Sequence, residues 1–334
     1  MKRIAVFTSG GDAPGMNACI RAVVRSGHYF GLDIFGIFRG FDGMINGDLI
    51  EMDDRSVSNI IQKGGTILKS ARSEEFRTKE GRKKAYDNIK KFNIDGIIAI
   101  GGNGTFTGAE LFYNEYQIPC VGVPGTIDND LYGTDFTIGY DTAVNTALSA
   151  IDKIRDTADA HERIFFIEVM GRDTGYIAVR SAIAGGAEMA LMPETKNDIK
   201  DVIAKLKYGS SQSKASHIII VAEGEETGGA QYIAEWVKKE IPQLDTKVTT
   251  LGHVQRGGAP SASDRVLASR LGLGAVEGLI KGKTNVMVGV INRSVCYTPL
   301  QDSITKKKPI NNDLIRIVEV LNGRKYQTDP PILK

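Results

Sequence analysis

The segment from Pro124 to Asp130 carries two carboxylates, Asp128 and Asp130, in a glycine-containing loop with little apolar cover. Such a pair could bind a cation, or it could work as a general acid and base. A carboxylate that lies beside phosphate groups is well placed to accept the proton of a hydroxyl nucleophile. In isolation, the two residues could also do no more than form Asx turns. The other loops of the chain decide between these interpretations.

Two glycine-rich segments, residues 9–17 and 101–105, follow short apolar runs and precede the starts of helices. Glycine permits positive φ and lets backbone N–H groups approach a ligand, and the N-terminus of a helix favours an anion. One such loop is often a packing turn, but two in one sheet indicate a ligand that carries phosphate. Neither segment has the Walker sequence or the strict dinucleotide fingerprint, which argues against an ordinary P-loop NTPase and an NAD enzyme.

Two arginines lie beside glycines in further loops, Arg172 in segment 170–173 and Arg256 in segment 251–258. A guanidinium group is a planar fork that matches the oxygens of a phosphate group, so these arginines indicate a second anionic ligand. His253, in the second of these loops, could instead be a histidine of the core. Together, the residue types predict phosphoryl transfer between a nucleotide and a small phosphorylated acceptor.

The elements that must position these loops are short runs rich in Ile and Val, which alternate with longer amphipathic segments. The runs do not alternate with polar residues, as expected of strands that are covered on both faces. The predicted strands are Ile4–Thr8, Asp33–Phe38, Gly96–Ile100, Cys120–Val123, Ile164–Val169, His217–Ala222, Lys247–Thr250 and Val286–Ile291. The predicted helices are Met16–Gly31, Gly81–Phe92, Asp141–Thr157, Thr174–Ala184, Asp198–Tyr208, Gln231–Glu240 and Ser261–Lys281. This repetition predicts a mainly parallel α/β sheet, in which ligands bind beyond the carboxyl ends of the strands.

Composition limits the class of protein. The chain has 334 residues, 42% hydrophobic and 25% charged, which excludes wholesale disorder and suggests about two domains. A formal net charge of +2 gives no reason to expect nucleic acid or an anionic membrane as the main partner. No apolar run approaches the ~20 residues of a membrane-spanning helix, and the first residues lack a signal-peptide pattern. The three cysteines, Cys19, Cys120 and Cys296, are expected to be reduced and buried in a cytoplasmic protein.

Five motifs, in their order along the chain, resemble those of the bacterial ATP-dependent 6-phosphofructokinases, and the resemblance covers about residues 1–300. The motifs are Thr8–Asn17 (TSGGDAPGMN), Gly64–Thr66 with Ser70–Arg72, Pro124–Asp130 (PGTIDND), Val169–Arg172 (VMGR) and Leu251–Gly258 (LGHVQRGG). The resemblance implies a homotetramer of subunits with two Rossmann-like α/β domains, mainly parallel sheets, and an active site in the cleft between the domains. It also implies transfer of the γ-phosphoryl group of MgATP to the 1-hydroxyl of fructose 6-phosphate, which is the committed step of glycolysis.

The glycine-rich first part of the chain gives way near residue 139 to the long predicted helix, and a return of the chain near residue 252 would close the first domain. We therefore expect a larger domain of residues 1–138 and 252–304, a smaller domain of residues 139–251 and 305–320, and a C-terminal tail of residues 321–334. By the resemblance, the larger domain would bind ATP and the smaller one the sugar phosphate. The resemblance also implies that Asp128 is the general base, that Thr126 and Asp130 orient the reacting groups, and that Arg172 stabilises charge on the transferring phosphoryl group.

The resemblance assigns further residues to each ligand. The ATP site would include Gly11, Arg72, Ser73, Gly102, Asn103, Gly104 and Thr105. The sugar-phosphate site would include Thr126, Ile127, Asp128, Arg163, Met170, Gly171, Arg172, Glu223, Lys247, His253, Val254, Gln255 and Arg256, with Arg163 supplied by a neighbouring subunit. An effector site for ADP or phosphoenolpyruvate would include Arg21, Arg25, Arg55, Arg155, Gly186, Glu188 and Lys214. Without the resemblance, Arg21 and Arg25 would be interpreted as a solvated helix face.

The phosphate donor is also implied by the resemblance. Members of the family that use pyrophosphate tend to have Asp and Lys at the positions of Gly104 and Gly125, where these side chains block the α-phosphate of a nucleotide. Glycine at both positions leaves room for ATP.

Three positions depart from the family pattern. Asn103 stands where the family usually has an aspartate associated with Mg²⁺, so one ligand charge is lost. Lys247 stands where the family usually has an arginine that binds the 6-phosphate across the subunit interface, and it keeps the charge but not the two-pronged fork. Asp54 replaces an arginine of the effector site, although Arg55 is adjacent. These departures predict a raised Mg²⁺ requirement or slower turnover, weaker binding of fructose 6-phosphate, and weakened effector control. They leave open a catalytically weakened regulatory paralogue as the alternative function.

Overall fold

The computed structural model describes residues 1–161, 163–195, 199–211 and 217–322. The chain forms two compact units. The larger unit comprises Met1–Ala143 and Val254–Lys308, and the smaller unit comprises Val144–His253 and the chain from Pro309. The first turn of one long helix, Tyr140–His161, therefore belongs to the larger unit and the rest of that helix to the smaller unit.

Strands and helices alternate along most of the chain. The strands are β1 (Arg3–Thr8), β2 (Asp33–Ile37), β3 (Leu49–Met52), β4 (Gly96–Gly101), β5 (Cys120–Pro124), β6 (Ile164–Val169), β7 (Met189–Leu191), β8 (His217–Ala222), β9 (Thr246–Thr250), β10 (Val286–Ile291) and β11 (Ser294–Pro299). The helices are α1 (Met16–Tyr29), α2 (Phe41–Asn46), α3 (Lys79–Lys91), α4 (Asn103–Tyr116), α5 (Tyr140–His161), α6 (Tyr176–Gly185), α7 (Ile199–Ser211), α8 (Gly229–Glu240), α9 (Ala262–Ile280), α10 (Leu300–Thr305) and α11 (Asn312–Asn322). Short 3-10 turns cover Glu75–Arg77 and Gly252–Arg256.

The larger unit is built on a seven-stranded sheet with the strand order β11-β10-β5-β4-β1-β2-β3. Its five inner strands pair in parallel, and the two edge strands, β3 and β11, run antiparallel to their neighbours. Every residue of β4 and β5 is buried, as expected of strands in the middle of a parallel sheet. Because β1, β4 and β5 are parallel neighbours, the loops that follow them open at the same edge of the sheet.

The smaller unit contains a four-stranded parallel sheet with the order β7-β8-β6-β9. The aliphatic strand β8 is buried along its whole length, whereas the edge strand β9, with the sequence TKVTT, is half-buried or exposed at every residue. The expectation that all strands are covered on both faces is therefore wrong for β9, in which Val248 is the only apolar residue, so burial of both faces would stabilise this strand little.

The structure confirms the predicted fold class, since both units are α/β with mainly parallel sheets. All eight predicted strands are present with ends within one residue of the prediction. The C-terminal tail was predicted to begin at residue 321, but α11 continues to Asn322. The remainder of that predicted tail, residues 323–334, lies outside the described residues.

The cysteines differ from one another in burial. Cys19 and Cys120 are free and buried, and burial raises the pKa of both thiols, that of Cys120 to about 12. The prediction that all three are buried is wrong for Cys296, which lies on the edge strand β11 and is half-buried. Among the helices of the described residues, none has both the length and the apolar character that crossing a bilayer requires.

Candidate active site

The loop after β5 carries Asp128 in a turn that is fixed by side chains further along the chain. Asn129 adopts a left-handed conformation with φ of 54°, and its Oδ1 accepts a hydrogen bond from the Thr137 amide at 3.0 Å. The Thr137 hydroxyl donates to the Thr126 carbonyl at 2.6 Å, and the amide of Gly125 donates to the Gly101 carbonyl at 2.9 Å. Neighbouring strands and a later segment thus hold the backbone on both sides of Asp128.

The carboxylate of Asp128 is buried, with 6% of the residue exposed, and Thr126 lies against it. The Thr126 hydroxyl donates to Oδ2 of Asp128 at 3.2 Å and accepts from the Asp128 amide at 3.2 Å. Asp130 is half-buried, and its Oδ2 accepts from Nδ2 of Asn103 at 2.8 Å. The structure therefore brings together Thr126, Asp128, Asp130 and Asn103, all predicted site residues. Ile127, between them, is fully buried in the core.

The N-terminus of α4 lies next to this loop. A Cβ atom added to Gly102 would be 3.7 Å from Cβ of Thr126, and the cap residue Gly102 offers no side chain to the first amides of the helix. Those amides favour an anion. The Thr105 hydroxyl is buried and has no hydrogen-bond partner among the described residues, and Gly104 is exposed with nothing within 4 Å of an added Cβ. This helix end can therefore accept a phosphate group beside Asp128.

The loop after β1 is tied to a second segment of the larger unit by Asn17. Its Nδ2 donates to the carbonyls of Lys63 and Gly64 at 3.1 Å, and its Oδ1 accepts from the amide of Ile67 at 2.7 Å. Further along this segment, Arg72 is exposed, and Oγ of Ser73 accepts from the Phe76 amide at 3.3 Å. Asn17 thereby connects the two segments that contain predicted ATP-site residues.

Arg256 and Gly11 lie in direct contact. Nη1 of Arg256 donates to the Asp12 carbonyl at 3.2 Å, and a Cβ on Gly11 would lie 2.7 Å from the same nitrogen. Glycine at position 11 therefore makes room for the guanidinium group of Arg256. The two residues that precede Arg256 differ in solvent exposure, since Val254 is exposed and Gln255 is fully buried. The side-chain amide of Gln255 has no hydrogen-bond partner among the described residues.

In the smaller unit, the loop after β6 is held by Glu223. Its Oε1 accepts from the amides of Gly171 at 3.3 Å and Arg172 at 2.7 Å. Arg172 has a left-handed backbone with φ of 55°, and its side chain is 65% exposed and 3.7 Å from that of Asp173. Met170 is buried. His253 is exposed, so the alternative interpretation of this residue as a core histidine is wrong.

Arg163 and Lys247, also in the smaller unit, share the carboxylate of Asp245. Nε of Arg163 donates to Oδ2 at 2.7 Å, and Nζ of Lys247 lies 2.8 Å from Oδ1. The two cations hold the pKa of Asp245 below its usual range. Sequence reasoning missed Asp245, although its spacing of two residues from Lys247 in a strand-like segment places both side chains on one face.

The predicted effector residues fall in both units. In the smaller unit, Arg155 donates to the carbonyls of Gly185 and Gly186, and Oε2 of Glu188 accepts from the Ile218 amide at 2.6 Å. In the larger unit, Arg21 is half-buried, and Arg25 and Arg55 are exposed. Asp54, the residue that departs from the family pattern, pairs with Nδ1 of His28 at 3.2 Å. Lys214 lies outside the described residues.

Oxygen atoms of Asp130 and Asn103, in the segments beside Asp128, could hold a magnesium ion together with the phosphate groups of a ligand. Within the described ranges, no three His, Cys, Asp or Glu side chains form a cluster that could hold a metal by themselves. Mg²⁺ is usually bound through one or two carboxylates, substrate phosphates and water. Asp130 and the side-chain oxygen of Asn103 supply such a partial set, because only Nδ2 of Asn103 is used in its contact with Asp130.

Comparison with known proteins gives a consistent result. Residues 3–279 match the phosphofructokinase family. An ATP-dependent 6-phosphofructokinase of Cytophaga hutchinsonii is 74% identical over 327 residues, which cover 98% of this chain and 100% of the relative. ATP-dependent 6-phosphofructokinase 1 of Thermus thermophilus is 56% identical over 321 residues, 96% of this chain and 99% of the relative.

Solved structures agree with these sequence matches. The phosphofructokinase of Saccharomyces cerevisiae is 35% identical and superposes with a TM-score of 0.87 over 96% of this chain, which spans 47% of the yeast chain. A family match over most of the chain, together with relatives of this identity and coverage, leaves one assignment. The chain belongs to the phosphofructokinase family.

Proposed function

We propose that this chain catalyses transfer of the γ-phosphoryl group of ATP to the 1-hydroxyl of fructose 6-phosphate, which yields fructose 1,6-bisphosphate and ADP. The observation that carries the proposal is the buried Asp128, held by Thr126 next to the open N-terminus of α4. A base and an anion site this close together suit a reaction in which a hydroxyl attacks a phosphoryl group. The names of the highly identical relatives support the same reaction and do not favour a catalytically weakened regulatory paralogue.

In this reaction, Asp128 accepts the proton of the 1-hydroxyl as the oxygen attacks phosphorus. Thr126 keeps the carboxylate oriented through its hydroxyl, and Asp130 is held by Asn103. Arg172 stabilises the charge on the phosphoryl group in transit, since a guanidinium matches phosphate oxygens. Asp130 and the side-chain oxygen of Asn103 would hold Mg²⁺ together with the nucleotide, and the ion would neutralise phosphate charge.

The nucleotide and the sugar phosphate use different sets of residues in this proposal. ATP binds to the backbone amides at the start of α4, to the Thr105 hydroxyl, and to the segments around Gly11 and Arg72. Met170, Gly171, Glu223, His253 and Arg256 bind the sugar. Arg163 and Lys247, both supplied by a neighbouring subunit, bind the 6-phosphate. Val254 and Gln255 belong to the same sugar-binding loop, in which the Val254 side chain is exposed and the Gln255 side chain is buried.

The proposal extends to assembly, regulation and location. We propose a cytoplasmic homotetramer that acts in glycolysis. ADP or phosphoenolpyruvate would bind the effector residues Arg21, Arg25, Arg55, Arg155, Gly186, Glu188 and Lys214. Effector control is expected to be weak, because Asp54 replaces a cation of that site and the carboxylate is paired with His28.

A coupled assay of fructose 1,6-bisphosphate formation tests the reaction directly. The purified chain is assayed with ATP and then with pyrophosphate as phosphate donor, each over a range of Mg²⁺ concentrations. We expect turnover with ATP and at least a tenfold lower kcat/KM with pyrophosphate, a difference of about 1.4 kcal/mol in transition-state binding. Turnover with pyrophosphate alone would refute the donor assignment, and turnover with neither donor would refute the proposed reaction.

Restoring a carboxylate at position 103 is expected to lower the Mg²⁺ concentration that gives half-maximal activity. In the Asn103→Asp variant, the amide donor to Asp130 is replaced by a second carboxylate at a similar distance, 2.8 Å in the present pair. Two carboxylates this close repel one another unless a cation lies with them, so the variant gains affinity for Mg²⁺. We expect a shift of about threefold to tenfold, which corresponds to about 0.7–1.4 kcal/mol.

Titration of Mg²⁺ against activity measures this shift, and direct Mn²⁺ binding, followed by electron paramagnetic resonance in the presence of ADP, provides a second readout. Asn103→Ser, which offers an oxygen without charge, is the matched control and should not lower the Mg²⁺ requirement. Identical titration curves for Asn103→Asp and the unmodified chain would contradict the prediction.

A further inference from the structure

Asp245 bridges two cations that the proposed function assigns to the 6-phosphate of the sugar. One carboxylate oxygen accepts from Nε of Arg163 at 2.7 Å, and the other lies 2.8 Å from Nζ of Lys247. A phosphate group would place two of its oxygens between a guanidinium and an ammonium group in the same manner. The carboxylate of Asp245 thus lies between Arg163 and Lys247 in the way that an anionic ligand would.

The fold fixes this arrangement through the pairing of β6 with β9. Ile164 pairs with Thr246, and the Ile164 amide donates to the Asp245 carbonyl at 3.0 Å, so Arg163 and Asp245 precede their strands side by side. Lys247 follows Asp245 by two residues and therefore projects from the same face of the strand. The three side chains meet because of strand register, and they do so within the smaller unit.

All three side chains are accessible to a ligand. The exposed fractions are 29% for Arg163, 47% for Asp245 and 44% for Lys247. Among the described residues, the guanidinium of Arg163 has no side-chain hydrogen bond other than the one from Nε, so its terminal nitrogens remain available. A phosphate dianion can therefore approach a pair of cations whose combined charge of +2 is reduced to +1 by Asp245.

We propose that Asp245 is an internal competitor for the phosphate subsite. Its carboxylate holds Arg163 and Lys247 together in the absence of substrate, and it gives up at least one of these contacts when the phosphate group of a phosphorylated sugar binds. Asp245 is in this sense a positioning residue that sets substrate affinity. The inference rests on the proposed function, because that function assigns the two cations to the 6-phosphate.

Electrostatics determines the direction of the effect. A carboxylate next to a bound dianion repels it, whereas an asparagine keeps the shape and one acceptor oxygen without the charge. Pre-organisation of two exposed long side chains contributes little, because exposed ion pairs of this kind are weak. Removal of the charge at position 245 should therefore strengthen phosphate binding rather than weaken it.

The experiment measures binding of inorganic phosphate to the full chain by isothermal titration calorimetry at fixed ionic strength. Asp245→Asn is expected to lower the phosphate Kd by about threefold to tenfold, the size of effect that one neighbouring charge produces. Asp245→Glu, which restores the charge, should bring the Kd back toward that of the unmodified chain. In steady-state assays of Asp245→Asn, the KM for fructose 6-phosphate should fall by a similar factor while the KM for ATP does not.

Two further measurements test whether the change in phosphate affinity depends on the charge pair at Asp245. In a Lys247→Ala background, Asp245→Asn should change the phosphate Kd less than it does in the unmodified chain. Glu277→Gln, which removes a comparable carboxylate paired with Lys281 in the larger unit, is the matched control and should leave the phosphate Kd unaltered.

The outcomes separate this inference from the proposed function. An unchanged or weaker phosphate affinity in Asp245→Asn overturns the inference, as does an effect that is the same with and without Lys247. If the chain fails to transfer phosphoryl groups from ATP to fructose 6-phosphate, the proposed function fails, while the phosphate titration still decides the role of Asp245.

Discussion

Replacing Asp128 with asparagine is expected to lower kcat by about 10²–10⁴-fold, the usual contribution of a general base. Asparagine has nearly the same shape as aspartate, but its amide group cannot accept the proton of the 1-hydroxyl. The backbone around residue 128 is held by Asn129, Thr137 and Gly125, whose contacts do not involve the Asp128 carboxylate. The variant should therefore keep its fold, and the loss should appear in kcat rather than in the KM for ATP.

Steady-state kinetics with ATP and fructose 6-phosphate, together with a thermal unfolding curve, measure both parts of this prediction. Asp87→Asn, which removes an exposed carboxylate from α3 in the same unit, is the matched control and should retain full turnover. Thr126→Val should lose less activity than Asp128→Asn, because it removes only the hydroxyl that orients the base. If Asp128→Asn keeps most of its turnover, another group must accept the proton.

The loops of the candidate site were predictable because their signals are local. Glycine in a left-handed conformation, as at Gly10 with φ of 82° and Gly15 with φ of 109°, marks a turn that other residues adopt with strain. Thr126 and Asp128 are only two residues apart in the sequence, and a threonine and an aspartate at this spacing indicate a turn without any tertiary information. Strong aliphatic runs such as β4 and β8 identify buried strands without any tertiary information.

The supports of these loops were not predictable because they join distant parts of the chain. Asn17 organises a segment about fifty residues away, and Thr137 reaches back to Asn129. Asp264 is buried in the larger unit and accepts hydrogen bonds from the Gly139 amide at 2.9 Å and the Thr142 amide at 2.8 Å. No periodicity or composition identifies the partner of a polar side chain across such separations.

Some elements were missed for physical reasons of their own. β3 and β11 are edge strands with exposed residues, and β7 has only three residues, so none of them forms a continuous apolar run. α4 contains Gly104 and Gly108, which weaken a helical pattern. The predicted domain boundaries at residues 138 and 252, and the ligand assignments of the site residues, stay predictions that experiments on the protein must decide.

Gly104 offers the second test with a large expected effect, because its position separates protein stability from nucleotide binding. It lies in the first turn of α4, is exposed, and an added Cβ would meet nothing within 4 Å. An aspartate in the first turn of a helix interacts favourably with the helix dipole, by about 0.3–1 kcal/mol. The free energy of unfolding of Gly104→Asp should thus be unchanged or slightly higher. The same carboxylate would stand where the phosphates of ATP are proposed to bind.

We therefore expect Gly104→Asp to lower kcat/KM for ATP by about 10²–10³-fold, since two charges ~4 Å apart at a protein surface repel one another by about 4 kcal/mol. Gly104→Asn, which has the same size without the charge, is the matched control and should lose much less. Nucleotide affinity, measured by calorimetry with ATP in the absence of sugar, should fall in parallel, while chemical denaturation shows no loss of stability. A variant that is as stable as the parent chain and binds ATP with the same affinity would mean that the triphosphate does not bind at the N-terminus of α4.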